Sequence, residues 1–106
     1  AAYTGLIERD FRSDHGVADY AAELGVTPTH LTRCCRQTCG QSALGLLADR
    51  RHFEACTMLR DTKTPVQDIA SQTGFQSAAY FSRAFQARAG VSPTTFRRAG
   101  PQVRPR

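Results

Sequence analysis

The same run of residues occurs twice in this chain, and that repetition narrows the fold more than any other feature. The ten residues from Val17 to Val26 align with the ten from Val66 to Phe75, with identity at the valine, at Asp19 and Asp68, at Ala21 and Ala70, and at Gly25 and Gly74. Past the glycine, a one-residue insertion moves the offset from 49 to 50. Thr27 then meets Ser77, Leu31 meets Phe81, Thr32 meets Ser82, Arg33 meets Arg83, Cys35 meets Phe85, Gly40 meets Gly90 and Ser42 meets Ser92. Two copies are too few for a solenoid, so a paired module follows.

Each copy reads as helix, tight turn, helix. Val17, Tyr20, Ala21 and Leu24 share one face of a short helix, as do Val66, Ile69, Ala70 and Thr73 after Pro65. Gly25 and Gly74 supply turns, with Gly25 suited to a left-handed cap. Thr27 and Ser77 cap the next helices, and Pro28 stands at a first helical position, where its missing amide costs nothing. Leu31, Cys34, Cys35 and Thr38 form one expected buried stripe, and Phe81, Ala84 and Phe85 the other, ending at Gly40 and Gly90. Two helices joined by a short glycine turn are the helix-turn-helix signature. An ordinary helical hairpin shares that pattern once; two copies with matching caps, alanines and arginines set this chain apart. No run alternates with period two long enough for strands, so the fold class is all-α.

Between the copies, Ser42 caps a helix that runs to about Asp61, with Leu44, Leu47, Phe53, Met58 and Leu59 as its expected buried contacts. Pro65 stops it, since the residue before a proline is pushed out of helix. A helix of that length spans about 30 Å, close to the roughly 34 Å between successive major-groove faces of B-DNA. The expected organisation is a first helix-turn-helix subdomain at 3–41, including a helix from Tyr3 to Phe11, a connector helix at 42–61, and a second subdomain at 62–98. Within the last, Ser92 and Pro93 open a short helix through Phe96 and Arg98. Residues 99–106 read as a flexible basic tail.

Charge follows the same division. The net charge is +5 among 106 residues, and of 14 basic residues only Lys63 is a lysine. All 9 acids lie before Ile69; from there on, six arginines stand without one. A second acid-free stretch from Leu24 to Ala48 holds Arg33 and Arg36. Segments cleared of carboxylates suit a polyanionic partner, although a solvated basic surface would look the same by charge alone. Hydrophobic residues at 41% are enough for a modest core. No apolar run approaches a membrane span and the start has no signal-peptide pattern, so no membrane association and a cytoplasmic location are expected.

The four cysteines, Cys34, Cys35, Cys39 and Cys56, do not form a plausible disulfide framework. His30 and His52 lie in range for a metal, but the spacings of structural zinc are missing. Buried free thiols acting as small hydrophobes are the favoured reading, with no metal and no cofactor.

On the first expected reading helix, Thr29, Thr32, Arg33 and Arg36 lie opposite Leu31 and Cys35. On the second, Ala78, Ala79, Ser82, Arg83 and Gln86 occupy the corresponding face. Arginine pairs bidentately with guanine, while small side chains allow close approach to a thymine methyl or a phosphate. Arg33 and Arg83, equivalent in the repeat, are the first candidates as base readers; Arg36 and Gln86 reach phosphates or bases. Helix starts at Thr27 and Ser77 can donate amides to phosphates. The candidate DNA-contacting set is Thr29, Thr32, Arg33, Arg36, Gln76, Ser77, Ala78, Ala79, Ser82, Arg83 and Gln86, and the expected partner is double-stranded DNA.

The stretch from Ile69 to Phe85, through Gly74-Phe75-Gln76-Ser77 and Tyr80-Phe81-Ser82-Arg83, continuing from Gly90 to Arg97, resembles the DNA-binding domain of AraC/XylS-family bacterial regulators. The resemblance extends back to about residue 3. It implies seven helices in two helix-turn-helix subdomains joined by the long connector, with reading helices in adjacent major-groove segments. It further implies transcription activation through contact with RNA polymerase, and an N-terminal sensing or dimerisation domain missing from this chain. There are departures: Cys34-Cys35 stands where an aromatic is frequent at the second position, Ala78 and Ala79 replace residues often polar, and His52 takes a place expected to be aliphatic.

Two other classes compete. An enzyme is disfavoured because no nucleophile motif, phosphate loop or carboxylate pair accompanies the cysteines and histidines. A helical module whose basic face meets an acidic protein is separated from a DNA binder by the salt dependence of duplex binding.

Overall fold

In a computed structural model, which describes residues Ala2–Ala99, the repeat folds as two sets of helices. The described residues form α1 (Ala2–Asp10), α2 (Val17–Leu24), α3 (Pro28–Cys39), α4 (Ala43–Asp61), α5 (Val66–Gln72), α6 (Ala78–Ala89) and α7 (Pro93–Ala99), with no strand. The expected basic tail lies, from residue 100 on, outside the described residues, and Ala99 itself ends α7 rather than beginning a tail.

The chain divides between Arg51 and His52 into two units, each with its own core. In the first, Tyr3, Ile7 and Phe11 from α1 and the adjoining turn meet Tyr20 and Ala21 of α2, Leu31 and Cys35 of α3, and Ala43 and Leu47 of α4. The Tyr3 and Tyr20 rings meet edge to face at 5.6 Å. The Tyr3 hydroxyl donates to the Ala43 carbonyl at 2.7 Å, and burial pushes its pKa up to about 12. Arg51 closes this unit by donating to the backbone carbonyls of Phe11, Ser13 and His15 at 2.8–3.0 Å.

The second core is aromatic. Phe81 and Phe85 of α6 pack with Phe96 of α7, Ile69 and Ala70 of α5, and Ala55, Cys56 and Leu59 of α4. The Phe85 ring lies 5.4 Å from Phe96 and 5.9 Å from Phe81. His52, on the helix where an aliphatic side chain was expected, lays its ring 4.9 Å from Phe85 and its Nε2 3.4 Å from Cys56 Sγ. The imidazole thus supplies a flat face to an aromatic cluster. Arg97 donates to the carbonyls of Met58, Leu59 and Thr62 around the end of α4, where helix carbonyls run out of intrahelical amides; the Met58 carbonyl also accepts from Thr62.

The two turns close in the same way. Val26 N–H donates to Ala21 O at 3.0 Å and Gly25 N–H to Ala22 O at 3.1 Å; Phe75 and Gly74 repeat this with Ala70 and Ser71 at 2.9 and 3.3 Å. This paired pattern requires a left-handed residue, and Gly25 and Gly74 have φ of 74° and 87°. Thr27 Oγ1 and Ser77 Oγ each accept the amide three residues on, at 3.1 and 3.0 Å. Ser42 and Ser92 do likewise for the amides of Gly45 and Thr95.

Expectations of burial need correction at six residues. Leu44 and Phe53 are each 63% exposed, because the core-facing stripe of α4 runs through Ala43, Leu47, Ala55, Cys56 and Leu59 instead. Thr38 is exposed, since the last turn of α3 extends past the core edge; its hydroxyl donates to the Cys34 carbonyl. All four cysteines are free, but only Cys35 and Cys56 are buried, while Cys34 is half-buried and Cys39 exposed. Ala84 is half-buried beside the fully enclosed Phe81 and Phe85.

Candidate nucleic-acid interface

A helix that buries one stripe leaves its other face to solvent, and α3 and α6 do so in register. Leu31 and Cys35 hold α3 to the first core, and Phe81 and Phe85 hold α6 to the second. The opposite face of α3 leaves Thr29, Arg33 and Arg36 exposed and Thr32 half-buried. On α6 the same face leaves Ala78, Ala79, Arg83 and Gln86 exposed and Ser82 half-buried. Gln76, the residue inserted in the second turn, and Ser77 are also exposed.

Arginines on this chain divide by what they touch. Arg51 and Arg97 are turned onto backbone carbonyls. Arg9 pairs with Asp10 and Glu23 at 2.6 and 2.8 Å, and Arg50 pairs with Glu8 at 2.6 Å. Among the described residues, Arg33, Arg36 and Arg83 have no ion-pair or hydrogen-bond partner. An exposed guanidinium without a carboxylate keeps its charge and all five donors available to an anion.

The helix starts differ in one respect. The capping hydroxyls of Thr27 and Ser77 take the third helical amide, leaving the first two without an intrahelical acceptor. In α3 the first of these belongs to Pro28, which has none to offer, so Thr29 alone presents an amide. In α6 both Ala78 and Ala79 do. Their methyl side chains cannot donate, but their backbone can, at the positive end of the helix dipole.

Besides Ser77, whose hydroxyl caps α6, Thr32 is a candidate whose polar atom is already engaged: its Oγ1 accepts the Ala43 amide at 3.3 Å. Its methyl remains available. The equivalent of Ala43 in the second unit is Pro93, which has no amide, so nothing in α7 claims the Ser82 hydroxyl in this way.

The structural duties of Arg51 and Arg97 were not anticipated from sequence. A usable signal was their position, four residues after buried Leu47 in one case and directly after buried Phe96 in the other. Such neighbours lead a long side chain along the core toward a helix end. No group of three or more His, Cys, Asp or Glu side chains is placed to hold a metal among the described residues. No helix among them is long and apolar enough to cross a membrane.

Comparison with known proteins places these features in context. Residues 20–99 match the helix-turn-helix domain family. The arabinose operon regulatory protein of Escherichia coli is 33% identical over 85 residues, covering 80% of this chain and 29% of that protein. The transcriptional activator AarP of Providencia stuartii is 33% identical over 91 residues, covering 86% of this chain and 67% of that one. The chain thus spans less than a third of the first relative and about two thirds of the second. The C-terminal domain of AraT, a response regulator from Geobacillus stearothermophilus, superposes with a TM-score of 0.87 at 34% identity, over 92% of this chain and 81% of that one. The DNA-binding domain of AdpA, solved in complex with a target DNA, shares the fold with a TM-score of 0.83 at 23% identity, over 92% of this chain and 87% of that one.

Proposed function

The chain belongs to the AraC/XylS family of helix-turn-helix regulators, and on that premise we propose that it binds double-stranded DNA sequence-specifically to regulate transcription, with α3 and α6 reading adjacent major-groove segments. One observation carries this reading. Arg33 and Arg83 stand at equivalent places of the repeat, both exposed and both without a partner among the described residues. Placed over a guanine edge, each can donate two hydrogen bonds to O6 and N7. Arg36 and Gln86 lie about one turn farther along, within reach of flanking bases or phosphates. The amides of Thr29, Ala78 and Ala79 donate to phosphate oxygens, fixing register without specifying sequence. Gln76 and Ser77 flank the start of α6 and join that backbone contact. Thr32 contributes its methyl and Ser82 its hydroxyl.

In this reading α4 connects the two reading units, as it supplies Leu47 to one core and Leu59 to the other. The longer relatives support an N-terminal sensing or dimerisation domain, and AarP's description as an activator supports activation, which in this reading proceeds through contact with RNA polymerase. The role requires no catalytic residue.

Selection of bound duplexes from a random library, followed by salt titration on the winner, tests the proposal. Two short conserved blocks about one helical turn apart, and a log-linear loss of affinity with salt, are expected. Absence of duplex affinity at low salt would refute it.

A further inference from the structure

The first unit contains a cleft that duplex binding does not use. Its volume is about 240 Å³, and Leu24, Val26 and Leu46 form much of its wall. At matching places of the repeat the second unit carries aromatic rings, Phe75 for Val26, Phe81 for Leu31 and Phe85 for Cys35. Phe85 fills the second unit with a ring packed against Phe81 and Phe96, whereas the equivalent Cys35 offers a single sulfur atom.

Three thiols line this apolar cleft, those of Cys34, Cys35 and Cys39, and they are not equivalent. Cys35 is buried, and desolvation pushes its pKa up, which suppresses the thiolate that reacts. Cys39 is exposed, and the polar atom beside its sulfur is the Thr38 hydroxyl at 3.6 Å, a group that does not take up a proton. Cys34 is half-buried, so it faces the cleft while staying reachable, and its Sγ lies 3.6 Å from His30 Nε2. Their spacing of four residues stacks the two side chains on one face of α3. A thiol beside an imidazole is the pairing that activates cysteine nucleophiles.

We propose that Cys34 is a modification site for small apolar Michael acceptors, such as enones, quinones and maleimides, whose apolar body seats in this cleft. His30 Nε2, in the tautomer with its proton on Nδ1, takes the Cys34 thiol proton. Sγ then forms a bond to the β-carbon of the acceptor, and the π pair of the double bond moves to the α-carbon as an enolate. Return of the proton from His30 to that carbon completes a thioether with no oxidant and no leaving group. This site does not depend on the DNA-binding reading, and labelling of the free chain tests it alone.

The experiment treats the 106-residue chain with less than one equivalent of N-phenylmaleimide and maps the adducts by peptide mass. Cys34 is expected to label ahead of the more exposed Cys39 by roughly a hundredfold, about tenfold from the adjacent base and about tenfold from seating of the apolar ring in the cleft. Iodoacetamide, small and polar, should keep only the part that the base gives. His30→Ala should slow labelling of Cys34 by roughly tenfold and leave Cys39 unchanged, with helix content by circular dichroism confirming the fold. Labelling of Cys39 first, the same ratio with both reagents, or an unaltered rate at Cys34 in His30→Ala would each overturn the proposal.

Discussion

Thr32 Oγ1 accepts the backbone amide of Ala43 at 3.3 Å, tying α3 to the first turn of α4. The repeat places Ser82 and Pro93 at the same two positions, and proline cannot donate. One hydroxyl is therefore structural and the other is left for a ligand. Thr32→Val, nearly isosteric, should cost about 1 kcal/mol of stability. That corresponds to a fall of about 4–8 °C in melting temperature for a domain of this size, with duplex affinity nearly intact. Ser82→Ala should behave in the opposite sense, leaving melting unchanged while weakening duplex binding. Matched thermal melts and duplex titrations decide the point, and equal behaviour of the two variants would remove the distinction.

Arg83 and Arg33 carry the proposed base contacts. Truncating Arg83 to alanine should cost about 1–3 kcal/mol of affinity on a cognate duplex and relax preference at one position, because a bidentate pair to guanine is lost. A phosphate contact behaves differently: its loss weakens all sequences about equally and reduces the salt slope by about one. Affinities of wild type and Arg83→Ala on the cognate site and on single-base variants separate the two roles. A uniform loss would reassign Arg83 to the backbone.

The architecture was legible because the repeat writes each boundary twice. Gly25 with Gly74, Thr27 with Ser77 and Ser42 with Ser92 mark the same turn, cap and cap in both units, so an ambiguous signal in one copy is supported by the other. Burial along α4 was less legible. That helix serves two cores in succession, and helical periodicity alone did not decide which residues of its long stripe were covered; Leu44 and Phe53 stayed in solvent. Charge counting also overstated the basic surface, since a guanidinium that hydrogen-bonds carbonyls, as in Arg51 and Arg97, is indistinguishable in sequence from one facing a phosphate. Thr32 shows a related limit: its engagement depends on an amide 11 residues away.

Arg97 gives a direct test of that structural class. Its guanidinium makes three hydrogen bonds to the carbonyls of Met58, Leu59 and Thr62, spanning the end of α4. Hydrogen bonds to a charged group are worth about 1.5–3 kcal/mol, so Arg97→Ala should cost about 2 kcal/mol. Lysine should restore little, because one ammonium cannot reproduce the planar fork that meets several acceptors. Chemical denaturation of the three proteins provides the measurement. Full recovery by Arg97→Lys would show that charge near the helix end, rather than the fork, is what matters.

The turn glycines separate conformational cost from crowding. A Cβ built at Gly25 meets nothing within 4 Å, so Gly25→Ala is opposed only by its φ of 74°. The left-handed region costs an L-residue about 1–2 kcal/mol, and the melt should fall accordingly. Gly74→Val, at φ 87°, should cost more, because β-branched residues are penalised further there. If both variants melt with wild type, the turns do not hold these dihedral angles in solution.

Acid should weaken the first unit through Asp10. Its carboxylate receives Arg9 Nη2 at 2.6 Å and Nε at 3.0 Å, and lies 3.8 Å from His15 Nδ1. The hydrogen bonds from Arg9, followed by weaker contributions that include the His15 charge, hold its pKa below the ordinary aspartate range. The folded state therefore binds fewer protons than the unfolded chain in that interval. The resulting stability is complete above the unfolded pKa of about 3.9 and is lost as pH falls through the folded value. The effect is modest, since Arg9 is 55% exposed and water screens the pair. Melting of the first unit should be flat in this component above about pH 5 and decline below about pH 4. Asp10→Asn should flatten that acid limb and lower the neutral-pH melt, and 1 M salt should shrink the difference. An asparagine variant whose melt follows pH as steeply as wild type would locate the acid sensitivity at another carboxylate.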